Sequence, residues 1–183
     1  LVIALVMSGA FKITDSDVQA TGNTSKQNIE IDAEDTTLAE VVAAKAQPSV
    51  VSISTTTSEG SGVGSGVVLD TDGNVLTNYH VIEGATELVV SMGGESYEAE
   101  LVGEDSSSDL AVIRLKDVDS SKLTPIEIGD SDDLSVGEWV MAIGSPFGNE
   151  QSVSTGIVSA LYRSTALPST SGASIYANMI QTD

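Results

Sequence analysis

The 183-residue chain contains no cysteine. Disulfides, thiolate catalysis and cysteine-based zinc sites are therefore excluded. Basic residues are scarce: 7 Lys and Arg stand against 27 Asp and Glu, a net charge of −20. Nucleic acids and anionic lipid surfaces are recognised through basic patches, so neither is a partner class for this chain. The acidity reads as a soluble, self-repelling surface. Leu1–Met7 (L-V-I-A-L-V-M) is apolar, but a bilayer crossing takes roughly 20 such residues. There is one histidine. Without cysteine, a transition-metal site would rest on carboxylates, and no cofactor is expected. Gly60–Gly66 (G-S-G-V-G-S-G) lacks the Lys-Ser/Thr ending and following helix of a phosphate cradle. A bend with close backbone packing is expected there. Asp70-Thr71-Asp72-Gly73 starts like a calcium loop, but its glycine comes too early and no closing glutamate follows. No G-x-S-x-G nucleophile elbow occurs.

What is present points to β structure. Hydrophobic residues make up 40% of the chain, enough for a core in one domain or two small lobes. Thr37-Leu38-Ala39-Glu40 is a capping box, with Leu38, Val41 and Val42 at helical spacing behind it. Pro48 ends that run, so one short helix is predicted over 38–46. From Ser49 the period becomes two. Strands are predicted at 50–55, 64–70, 74–79, 88–92, 97–102, 110–115, 139–145, 152–163 and 176–182. Thr71-Asp72-Gly73 supplies a hairpin turn between two of them, and such regular spacing describes a barrel or sandwich. Gly129–Asp133 marks a boundary between two β lobes. Residues 1–11 read as the remnant of a membrane anchor or signal peptide, with a buried strand as the other reading. Residues 12–36 read as a polar linker. Ser164–Ser174 reads as a loop-like connection.

Two residues could carry chemistry. His80 ends the apolar run N-V-L-T-N-Y-H-V-I (74–82), and Asp109 follows S-S-S (106–108) and opens L-A-V-I-R-L (110–115). Strand ends at one barrel rim can meet. A neutral imidazole can accept a hydroxyl proton, and a carboxylate on its other nitrogen sets the tautomer and stabilises the imidazolium. By residue type alone, a structural histidine and a turn aspartate are the commoner reading.

The motifs separate these readings. G-S-G-V-V-L-D-T-D-G-N-V-L-T-N-Y-H-V-I-E-G-A (64–85) resembles the catalytic-histidine region of the HtrA/Deg family of trypsin-like serine proteases. V-G-E-D-S-S-S-D-L-A-V-I-R-L (102–115) is similar to its catalytic-aspartate region. G-D-S-D-D-L-S-V-G-E-W-V-M-A-I-G-S-P-F-G (129–148) and S-V-S-T-G-I-V-S-A (152–160) resemble its next blocks. The likeness runs from about Pro48 to Asp183. It implies an all-β, chymotrypsin-like double β-barrel with one short N-terminal helix. The helix and first barrel would occupy 37–130, and part of the second barrel 131–183. It implies a serine-type endopeptidase acting without ATP on unfolded or damaged extracytoplasmic proteins, with His80 as general base and Asp109 as its orienter. A homotrimer, membrane-anchored or secreted, is implied as well. The family's nucleophile lies in a G-N-S-G-G block shortly after Q-T-D, here Gln181-Thr182-Asp183. Ser61, Ser65 and Ser145 do not match that block. The chain is therefore expected to be a fragment that lacks the nucleophile and is inactive by itself. The alternative is a catalytically inactive HtrA-like domain that binds unfolded chains as a chaperone.

Overall fold

The computed structural model describes residues 3–5, 37–145, 151–169 and 172–183. Helix α1 spans Leu38–Ala46. Thr37 caps it: its hydroxyl accepts from the Glu40 N–H, and the Glu40 carboxylate accepts from the Thr37 N–H at 2.7 Å. Each partner so satisfies a helix-end donor. Val42 and Ala46 form the buried stripe, and the turn at Gln47–Ser49, containing Pro48, leads into the first long strand.

Six strands close a barrel: β2 (Val50–Thr57), β3 (Gly60–Val68), β4 (Asn74–Thr77), β5 (Ala85–Met92), β6 (Glu95–Asp105) and β7 (Leu110–Leu115). Their order is β2-β3-β4-β7-β6-β5, and β5 pairs back on β2 through Ser52–Thr57. All the pairs are antiparallel. Alternation explains the barrel. In β7, Ala111, Ile113 and Leu115 point inward while Leu110 and Arg114 stay outside. Val51, Ile53, Val68, Val75, Val90 and Ile113 fill the interior. Each such side chain contributes about 1.5–3 kcal/mol on full burial.

A second, open sheet has the order β1-β8-β9-β10. It comprises β1 (Ile3–Leu5), β8 (Trp139–Gly144), β9 (Ser152–Ser169) and β10 (Gly172–Thr182). β1 runs antiparallel to β8, with Ile3 opposite Ile143. Met141 and Ile143 of β8 pack with Val42 and Ala46 of α1 and Val50 of β2, joining sheet to barrel. Two polar ties cross the same junction. The Ser145 N–H donates to the Ser65 hydroxyl at 2.7 Å, and the Gln151 side-chain amide donates to the Gln47 and Val50 carbonyls. Among the described residues, no helix is long and apolar enough to cross a membrane.

Three expectations need correction. Residues 60–66 form the outer half of β3 rather than a bend, because all of them pair with β2. Ser164–Ser169 and Gly172–Ser174 are strand rather than loop, since β9 and β10 pair through them with Gly172 opposite Ser169. β4 stops at Thr77, so His80 does not end a strand; it lies in the single-turn helix α2, Tyr79–Ile82.

Candidate active site

The site is built where β4 gives way to α2 beside the start of β7. Thr77, almost fully buried, anchors the end of β4 by donating its hydroxyl to the Ser65 carbonyl at 2.8 Å. Asn78 precedes α2 but does not cap it with its side chain. Its amide instead donates to the Asp109 carbonyl at 2.9 Å and to the Asp109 carboxylate at 3.3 Å. The Tyr79 N–H reaches the same carbonyl at 3.2 Å. Ile82 then plugs α2 into the barrel core.

Asp109 faces this segment because its backbone is left-handed, with φ 57°. Aspartate tolerates that region better than most residues, yet the conformation still costs of order 1 kcal/mol or more. It is held from both sides. On the upstream side, Asp105 ties the tight turn before it, accepting from the Ser107 N–H and from the Ser107 and Ser108 hydroxyls. The Ser107 hydroxyl, followed by that of Ser108, holds the Asp105 carboxyl below the usual carboxylate range. Downstream, β7 pairs with β4 and β6.

The Asp109 carboxylate accepts from the His80 N–H at 2.9 Å, and His80 Nδ1 lies 3.0 Å from Oδ1 and 2.8 Å from Oδ2. The Asp109 side chain is 9% exposed and that of His80 47%. The sequence therefore named both partners, and the structure brings them together. An ionised carboxylate only accepts hydrogen bonds, so the hydrogen between the two groups sits on Nδ1. In the neutral ring, Nε2 is then left with a lone pair. Among the described residues, no hydroxyl is hydrogen-bonded to that nitrogen. Ser65 is committed to the Ser145 N–H and, through its carbonyl, to Thr77. Nor is any group of three His, Asp or Glu side chains arranged among them to hold a metal ion. What the arrangement can do is take a proton at Nε2 while the carboxylate offsets the resulting charge.

His80 lines a groove of about 320 Å³ with Thr55, Thr57, Glu59, Gly60–Gly64, Val81 and Glu83. A larger cavity of about 770 Å³ lies at the opposite end of β2, among Pro48, Val50, Ser52 and Ser91–Ser96. The chemistry belongs to the smaller space, because the imidazole borders it. Glycine makes that space: a Cβ on Gly64 would lie 2.5 Å from Val81 Cγ1. Asn78 is the site residue that residue-level reading passed over. Its signal was present, since an asparagine at the end of an apolar run often marks a helix start.

A family model for the trypsin-like peptidase domain matches residues 64–183, and the chain belongs to that family. The comparisons narrow the membership to its HtrA/Deg branch. The chain is 48% identical over 122 residues to a probable periplasmic serine endoprotease DegP-like of Halomonas elongata, covering 66% of this chain and 24% of the relative. It is 48% identical over 124 residues to a probable periplasmic serine protease do/HhoA-like of Haemophilus influenzae, covering 67% and 25%. Among solved structures, it resembles the HtrA-type protease AlgW with tripeptide at 32% identity and a TM-score of 0.61, covering 74% of this chain and 48% of that one. The serine endoprotease from Yersinia pestis matches at 37% identity and a TM-score of 0.62, covering 69% and 46%. The chain spans about a quarter of the length of the curated relatives it matches.

Proposed function

We propose that the whole protein is a serine endopeptidase acting on unfolded or damaged proteins outside the cytoplasm. His80 is its general base, Asp109 is the orienter of that base, and the nucleophilic serine lies outside residues 1–183. The observation that carries this reading is the buried Asp109 carboxylate 2.8 Å from His80 Nδ1, which leaves Nε2 as the accepting nitrogen. His80 Nε2 takes the serine proton as the serine oxygen bonds to the scissile carbonyl carbon. It returns that proton to the leaving amine as the peptide C–N bond breaks, and water releases the acyl group by the same relay. The periplasmic relatives support an extracytoplasmic site of action. Within this reading, residues 37–130 carry the helix and first barrel, and 131–183 contribute strands to the second. The strand β1 within residues 1–11 pairs with β8 and so favours the strand reading of that segment over an anchor or signal peptide, the linker reading of 12–36 lies outside the described residues, and the assembly is a homotrimer.

The test is hydrolysis of an unfolded casein-type substrate by the whole protein. Cleavage should disappear in His80→Ala and fall by about four orders of magnitude in Asp109→Asn, which leaves the ring in the wrong tautomer. Cleavage unchanged by either substitution would remove the assignment. Binding of unfolded chains without any cleavage would establish the inactive chaperone instead.

A further inference from the structure

β3 pairs with β2 from Gly60 to Val67, but with β4 only at Val67 and Val68. Among the described residues, the second edge of Gly60–Gly64 therefore has no strand beside it. Residues 60–63 are exposed. This free edge borders the groove that holds His80. Glycines at three alternate positions, 60, 62 and 64, keep the strand slim: Thr55 and Val81 sit on the face that Gly62 and Gly64 leave without side chains, the space at Gly60 is open, and Val63 stands 50% exposed on the opposite face. An unpaired, accessible strand edge is a template for an incoming extended chain. Charge defines which chain. Glu59 and Glu83 line the groove, and no Lys or Arg does. Glu83 is held at the rim by the Tyr79 hydroxyl, which donates to its carboxylate at 3.3 Å. That carboxylate, foremost through its charge, raises the Tyr79 phenol above its ordinary value, so the phenol stays a donor.

Building on the endopeptidase reading, we propose that this groove receives the substrate as an added strand on Gly60–Gly64, and that Glu59 and Glu83 select a Lys or Arg within a few residues of the scissile bond. The occupant is thus an extended, cationic stretch of unfolded polypeptide. A folded basic surface would not fit, because backbone pairing needs an extended strand.

The test uses the whole protein and two unfolded peptides that differ only in Lys or Gln at the positions flanking the cleaved bond. Two partly exposed carboxylates should favour the Lys peptide about five- to tenfold in kcat/KM at low salt. That ratio should approach one in the Glu59→Gln/Glu83→Gln variant and at high salt. N-methylation of the flanking substrate amides should weaken both peptides. A ratio that the double variant does not change overturns the proposal. A second arm measures binding of the same peptides, fluorescently labelled, to the His80→Ala variant by anisotropy. Charge-selective binding there, with no cleavage by the parent, would uphold the groove and remove the protease reading. Cleavage by the parent without charge preference would do the reverse.

Discussion

Gly64→Ala is the sharpest single perturbation of the site's geometry. The added Cβ would lie 2.5 and 2.7 Å from the two methyls of Val81 and 3.2 Å from its Cβ. Carbon atoms pack comfortably at about 3.5–4.0 Å, so Val81 must recede by on the order of 1 Å. It cannot rotate away, because a β-branched side chain in a helix has one strongly preferred rotamer and here presents both methyls to the strand. The backbone of α2 must move instead, and His80 is its neighbour. A shift of on the order of 1 Å carries the 2.8 Å contact between His80 Nδ1 and Asp109 Oδ2 beyond hydrogen-bond range. The strain should cost about 1–3 kcal/mol of stability, too little to unfold a domain of ordinary stability. Urea unfolding, followed through the sole tryptophan, Trp139, reads the first effect. The ring NMR signals of the sole histidine read the second. In the whole protein, hydrolysis should fall by about a hundredfold. Val81→Ala in the same chain removes the two clashing methyls and should restore most of both losses, a coupling of about 1–2 kcal/mol. Unchanged stability and unchanged His80 signals in Gly64→Ala would refute the close-packing argument, as would a failure of Val81→Ala to rescue.

Asn78→Ala should free the Asp109 carbonyl and carboxylate from one donor, cost about 1–2 kcal/mol and lower kcat more than it raises KM. An equal loss in a variant with Asn78→Asp would show that the amide itself is required, whereas full rescue by aspartate would contradict the hydrogen bonds assigned to it. Asp70 gives a pH dependence. Its carboxylate accepts from the Asn74 side chain at 2.6 Å and from the Asn74 and Asp72 N–H groups. Foremost through the Asn74 side chain, these bonds hold its carboxyl below the ordinary value. A depressed folded value means stability that is present above the unfolded value and lost as pH falls through the folded one. Asp70→Asn should therefore be about 1 kcal/mol less stable than the parent at neutral pH, after allowance for solvent exposure. The gap should narrow as pH falls below about 4 and close only below the lowered folded value; a gap that stays constant across that range would contradict the assignment.

The elements legible in the sequence were those whose signals are local. α1 is where its capping box and Pro48 place it, and β7 follows from the alternation of Leu110–Leu115. The pairing of His80 with Asp109 was legible because the surrounding blocks keep their order along the chain. α2 was not, since one turn of helix is too short to show a period. The start of β3 was hidden by glycine, which carries no side chain to reveal a strand; only its pairing with Thr57–Val51 makes it one. The left-handed backbone of Asp109 has no signature in sequence either. It emerges from contacts made 29 to 31 residues apart, to His80 and Asn78.

The ring nitrogens of His80 offer the most direct test of the site. With a single histidine, their NMR signals need no assignment by mutation. In the neutral ring the hydrogen should sit on Nδ1, with a strongly downfield proton resonance that marks a bond to a carboxylate, and Asp109→Asn should abolish both features. A ring protonated on Nε2, or a spectrum that Asp109→Asn leaves unaltered, would show that Asp109 does not orient His80.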